Sequence, residues 1–179
     1  MKREVDTVEE NMICPKELRK KIERDSVEKT EKEQKVTEEE SGFCIRKGVE
    51  NMDPKRVVEL LRTTEWAKDR SEERILDAME YSIPYGVFDS NEYMVGYARV
   101  MTDTVTTYYL MDVVVDERHR KKGLGRMLMD AVIADYGHLY GILHTESADW
   151  LYRKYGFEDT GNSADKVMER PGNVAVSEI

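Results

Sequence analysis

Nine consecutive residues, Arg118-His119-Arg120-Lys121-Lys122-Gly123-Leu124-Gly125-Arg126, concentrate positive charge in a chain that is otherwise acidic. Glycines at 123 and 125 let backbone amides turn toward one point. The apolar periodicity that begins at Leu124 makes that point the start of a helix, where unpaired N–H groups and the helix dipole favour an anion. The anion that suits such a loop is a phosphate. Two phosphate loops are excluded: no G-x-x-x-x-G-K-[ST] occurs, and Leu128 stands where the dinucleotide fingerprint needs its third glycine. The apolar run Val113-Val114-Val115 also ends about eight residues before Gly123, too far for a tight Rossmann turn.

The elements that must position this loop follow from caps and periodicity. Phe43 to Ile45 reads as a first strand, and Asp53-Pro54 as an N-cap with proline at the first helical position, opening a helix to about Arg62. Ser71 to Ser82 reads as a second helix, with Glu72 and Glu73 in its first turn, Ile75 and Met79 on one face, and Pro84 ending it. Tyr85 to Phe88 and Tyr93 to Met101 form a hairpin around Asp89-Ser90-Asn91, and Thr106 to Val115 is a third run of β-branched and aromatic residues. Gly123 to Tyr136 has helical periodicity, with Leu124, Met127, Leu128, Ala131 and Val132 on one face. Leu139 to His144 is a short strand, Ala148 to Tyr155 a short helix stopped by Gly156, and Val167 to Glu169 a last strand. The order is α+β.

With 179 residues the chain fits one domain and a spare segment. Residues 1–41 hold 10 Lys/Arg and 13 Asp/Glu without a sustained apolar stripe, so they read as a charged extension, disordered or loosely helical, before a domain at 42–179. A formal charge of −9 argues against nucleic acid or an anionic membrane as partner. Cys14 and Cys44 lie far apart with no C-x-x-C spacing, so neither a disulfide framework nor a metal is expected. There is no apolar run of signal or membrane-spanning length, and a cytoplasmic location is expected.

Arg120, Gly123 and Gly125 form an R-x-x-G-x-G signature between an apolar strand and an amphipathic helix, and here the chain resembles the GNAT superfamily of acetyl-CoA-dependent N-acetyltransferases. Downstream, Ala148-Asp149-Trp150-Leu151-Tyr152-Arg153-Lys154-Tyr155-Gly156-Phe157 resembles the A-x-x-[FL]-Y-x-x-x-G-F segment of that fold. Thr64-Glu65-Trp66-Ala67-Lys68-Asp69-Arg70 and Ile142-Leu143-His144-Thr145 are similar to a bacterial subgroup of small GNAT proteins. The resemblance covers roughly residues 43–170. It implies an α/β (α+β) fold with a mixed, mainly antiparallel central sheet and helices on both faces. It also implies that the CoA pyrophosphate rests on the backbone amides from Lys121 through Lys122, Gly123, Leu124 and Gly125 to Arg126, next to Arg120. Val113, Val114 and Val115 would then splay from the next strand and pair with the pantetheine arm.

Attack on a thioester needs a neutral amine, so a base or water must take its proton, and a nearby acid eases release of the thiol. By resemblance Tyr152 is the acid, although its i, i+3, i+4, i+7 spacing with Ala148, Leu151 and Tyr155 also suits a core residue. Asp112 alternates with Tyr108, Leu110 and Val114 in an apolar strand, where a carboxylate needs a partner or a function, and is the candidate base. His144 and Glu146 are further candidates, and with Trp66 and Arg70 they are expected to line the acceptor pocket. Cys44 has no neighbouring histidine and is not expected to carry an acyl group. The resemblance thus implies transfer of acetyl from acetyl-CoA to a primary amine of a small molecule, without a metal and with a homodimer left open. The alternatives are acetylation of a protein N-terminus or lysine, and a non-catalytic CoA-binding sensor or scaffold.

Overall fold

The computed structural model describes residues 42–160. The extension 1–41 with Cys14, and the strand expected at Val167 to Glu169, lie outside the described residues. Five strands form one sheet in the order β1 (Phe43–Lys47), β2 (Ile83–Asp89), β3 (Met94–Thr102), β4 (Thr107–Val115) and β5 (Tyr140–Ile142). The first four pair antiparallel, and β4 pairs parallel with β5. Four α-helices accompany them among the described residues: α1 (Pro54–Arg62), α2 (Glu72–Glu80), α3 (Leu124–Tyr136) and α4 (Asp149–Tyr152).

Strand neighbours point to opposite faces, and each face has its own core. Val87, Val95 and Ala98 pack with Leu124, Leu128 and Val132 of α3 and Leu151 of α4. Phe88, Met94 and Tyr97 pack with Val57, Leu60 and Leu61 of α1 and Ile75 and Met79 of α2. The helices therefore cover both faces, as the resemblance implied.

Local chemistry sets the element ends. Asp53 accepts hydrogen bonds from the amides of Lys55 and Arg56, and Ser71 accepts one from Arg74, so both expected N-caps are present. Pro84 does not end α2, contrary to expectation. The helix stops at Glu80, and Pro84 is the second residue of β2, where β1 has already ended and no ladder donor is lost on that side. The Asp89 carboxylate accepts from the amides of Asn91 at 2.9 Å and Tyr93 at 3.0 Å and closes the hairpin.

Two elements are shorter than expected. The helix foreseen over Ala148 to Tyr155 is the four-residue α4 followed by a 3-10 turn, Arg153–Tyr155, which ends at Gly156 with φ 81°. The last described strand is confined to Tyr140–Ile142 because only Thr107, Tyr108 and Tyr109 pair with it. Gly141 allows that pairing: a Cβ there would lie 2.5 Å from the Tyr108 ring.

Candidate active site

β4 carries the irregularity on which the site is built. Tyr97 pairs with Val114 but Arg99 pairs with Met111, so Asp112 and Val113 together oppose the single residue Ala98. Asp112 absorbs the extra residue with φ 56°, in the left-handed region that non-glycine residues seldom occupy. The alternation expected from Tyr108 to Val114 is therefore broken. Tyr108 and Leu110 pack on the α3 face while Val114 packs on the α1 face, because the bulge turns the strand over. Past Tyr109, residues Leu110 to Val115 of β4 have no strand partner on the β5 side among the described residues.

At the end of β4, Asp116 accepts a hydrogen bond from the Arg118 amide at 3.0 Å and caps the 3-10 turn Glu117–His119. Its buried carboxylate pairs with the buried guanidinium of Arg56, whose Nε donates to the Met94 carbonyl at 2.9 Å. The Arg118 side chain, its amide and Arg56 together hold the Asp116 carboxyl well below the usual carboxylate range. A rigid foot thus launches the basic loop.

Within that loop Lys121 and Gly123 both take positive φ, 65° and 83°, and Gly123 precedes α3 with no side chain to cap the helix. Nothing lies within 4 Å of the point where a Gly123 Cβ would stand. Positive φ at two positions beside an uncapped helix start is the backbone shape of an anion cradle. The side chains of Arg120, Lys121, Lys122 and Arg126 are exposed. These residues fit a pyrophosphate. Gly125 faces α4, since a Cβ there would meet Leu151 Cδ2 at 3.5 Å, and the Tyr155 hydroxyl donates to Asp130 at 2.6 Å, so α4 is fixed against the first turns of α3.

That contact places Tyr152. It is buried, packs edge-on to Phe157 with ring centroids 6.2 Å apart, and its hydroxyl has no hydrogen-bond partner among the described residues. Burial pushes its phenol up from the ordinary value of 10.0.

On the α1 face, Asp112 has the partners that its apolar setting required. Arg99 Nε donates to Oδ2 at 2.5 Å, and Arg70 Nη1 lies 3.0 and 2.9 Å from Oδ1 and Oδ2. Both carboxylate oxygens are therefore engaged by guanidinium groups. The Arg70 guanidinium lies 5.5 Å from the centroid of Trp66. Trp66 is 50% exposed, so it is not a core residue. Tyr97, on the same face of β3 as Arg99, buries a hydroxyl with no partner among the described residues, and burial raises its pKa. The Tyr109 hydroxyl approaches His144 Nδ1 at 3.3 Å. Glu146 is exposed in the loop after β5, and no ion pair joins it to this cluster.

Arg99, Tyr97, Tyr109 and the Arg56–Asp116 pair were missed in the sequence. Arg99 carried a readable signal: a charged residue inside the buried run Met94 to Val100 requires an acid nearby, and the hairpin brings Asp112 beside it.

A sequence profile of the acetyltransferase (GNAT) domain matches residues 84–159, from β2 through α4. A structure from Xanthomonas campestris pv. campestris, described as belonging to the GNAT family, is 32% identical with a TM-score of 0.65, and the match covers 72% of this chain and 92% of that one. A GNAT family protein from Streptococcus pneumoniae TIGR4 is 22% identical over 74% of this chain and 99% of its own, with a TM-score of 0.61. A structure from Deinococcus radiodurans R1 is 17% identical over 72% and 88%, with a TM-score of 0.58. These last two share the fold. No curated protein matches the chain. The glycine loop, the bulged β4 and the order of elements, together with the identity to the Xanthomonas protein, make this chain a member of the GNAT acetyltransferase superfamily.

Proposed function

We propose that the protein moves an acetyl group from acetyl-CoA to the primary amine of a small molecule. The observation that carries this reading is the succession along one segment of three features: the stretch Leu110 to Val115, which has no strand partner on the β5 side among the described residues, the bulge at Asp112 within it, and the glycine loop that follows Asp116. Acetyl-CoA supplies an acyl group activated as a thioester, which forms a C–N bond with the amine as its C–S bond breaks.

In this reading the amides from Lys121 to Gly125 and the side chains of Arg120 and Arg126 hold the pyrophosphate, the Arg126 amide itself being bonded to the Gly123 carbonyl, while the backbone of Val113, Val114 and Val115 offers strand-like hydrogen bonds to the pantetheine amides. Tyr152 donates a proton to the departing sulfur. Its unengaged hydroxyl and its burial keep the phenol protonated and available.

Asp112 is less suited to removing the amine proton than its sequence context implied, because two guanidinium groups occupy its oxygens. We assign it instead to fixing the bulge and Arg70, with His144, braced by Tyr109, as the proton acceptor. Incubation of the full chain with acetyl-CoA and a panel of amines should release thiol in proportion to acetylated product. Tight CoA binding without thiol release for any amine would replace this reading with a CoA sensor.

A further inference from the structure

The acceptor side of β4 has a charge balance opposite to that of the chain. Two guanidinium groups, Arg70 and Arg99, converge on the single carboxylate of Asp112, so the cluster keeps an uncompensated positive charge. Arg99 is buried, with its Nε on Asp112. Arg70 is the exposed member. Only its Nη1 serves Asp112, and among the described residues its Nε and Nη2 have no hydrogen-bond partner, while its side chain stays 34% exposed. The Arg70 amide is tied to the Ala67 carbonyl at 3.0 Å and the guanidinium rests over the Trp66 ring, so its position is set before any ligand arrives. Nearby acids do not answer the charge: Glu65 is paired with Lys68, and Asp69 is exposed.

A guanidinium with a donor edge left over is shaped for a carboxylate, which it can grip through two parallel N–H bonds. We propose that the outer edge of Arg70 receives the carboxylate of the acceptor, and that the acceptor is a free α-amino acid acetylated on its amine. This inference rests on the acetyl-transfer reading above. Proximity argues for the α position: Arg70 is bonded to the side chain of the bulge residue itself, so the acceptor's anion must lie close to the amine that reaches β4. The same face also offers apolar surface for an amino-acid side chain, from Trp66, which is 50% exposed, and Met101, which is 51% exposed. A peptide N-terminus or a polyamine has no carboxylate beside its reacting amine and leaves Arg70 unanswered.

The test uses the full chain, acetyl-CoA and matched acceptors: L-phenylalanine against phenethylamine, L-leucine against isopentylamine, and L-lysine against cadaverine, with thiol release as the readout. The amino acid of at least one pair should be favoured about tenfold or more in kcat/KM. Arg70→Gln should abolish most of that preference, chiefly through acceptor KM, and Arg70→Lys should keep part of it because charge survives without the fork. If Arg70→Gln does not fold, the wild-type pairs and Arg70→Lys decide the matter. Amines accepted regardless of a carboxylate, or a preference that is undiminished in the Arg70 variants, overturn the inference and leave acetyl transfer standing. Thiol release with no acceptor at all overturns both.

Discussion

Arg56 and Asp116, separated by 60 positions, form a buried ion pair that joins α1 to the end of β4 where the basic loop begins. Asp116→Asn leaves the buried Arg56 guanidinium with only the exposed Glu59 carboxylate and the Met94 carbonyl. It should cost about 2 kcal/mol, read from urea unfolding at neutral pH. The sign with pH follows from the depressed folded-state pKa of Asp116. A depressed carboxylate contributes stability above its unfolded value of about 3.9 and loses it as pH falls. The wild-type advantage over Asp116→Asn should therefore be full at neutral pH and shrink below about pH 4. A gap that stays constant down to strongly acid pH would show that the carboxylate's charge is not the source.

Gly123→Glu would place a side chain and a negative charge where the backbone turns with positive φ toward open space. Calorimetric titration with CoA should show at least about a tenfold loss of affinity, roughly 1.4 kcal/mol. A folded variant that binds CoA as well as the wild type would move the pyrophosphate elsewhere.

Tyr152→Phe keeps the ring against Phe157 and removes only an unengaged hydroxyl. Turnover should fall by about 10²-fold with CoA affinity nearly intact. Because burial raises the phenol above 10.0, kcat in the wild type should show no loss attributable to Tyr152 as pH rises toward that value. An unchanged rate in the variant would leave Tyr152 as packing alone.

Asp112→Asn separates an anchor from a base. An anchor predicts a lower melting temperature and a raised acceptor KM, with the shape of the kcat profile against pH retained, since Arg99 and Arg70 lose their shared counterion. A base predicts instead a collapse of kcat and loss of the acid limb of that profile.

Much of the frame was legible because its signals are local. Asp53 and Ser71 cap the helices they were expected to cap, and Gly123 marks the start of α3, since each side chain or its absence answers the needs of the adjacent backbone. The bulge was not legible. Its place in the strand is not announced by residue type, and the Asp112 side chain is held there by Arg70 and Arg99 from distant parts of the chain. The same reason hid the acceptor side: Arg70 and Arg99 meet at Asp112, and Tyr109 meets His144, through strand register and the turn after α1, which have no sequence signature of their own. Pro84 misled because proline stops helices in general, whereas here the backbone had already left the helix at Glu80.

A sheet with an unpaired backbone edge ordinarily courts aggregation, since that edge can template a strand from another chain. The stretch Leu110 to Val115 is such an edge, yet it is recessed rather than placed on the rim. Its two lips are already sewn together where Thr107, Tyr108 and Tyr109 meet Tyr140, Gly141 and Ile142. Paired strands stand about 4.8 Å apart, and a third strand needs that spacing on each side, so an invading polypeptide could not seat itself along the whole slit. A slender molecule can enter by its tip. Among the described residues the seam thus favours a slender molecule over a strand, and the polar backbone within it stays available.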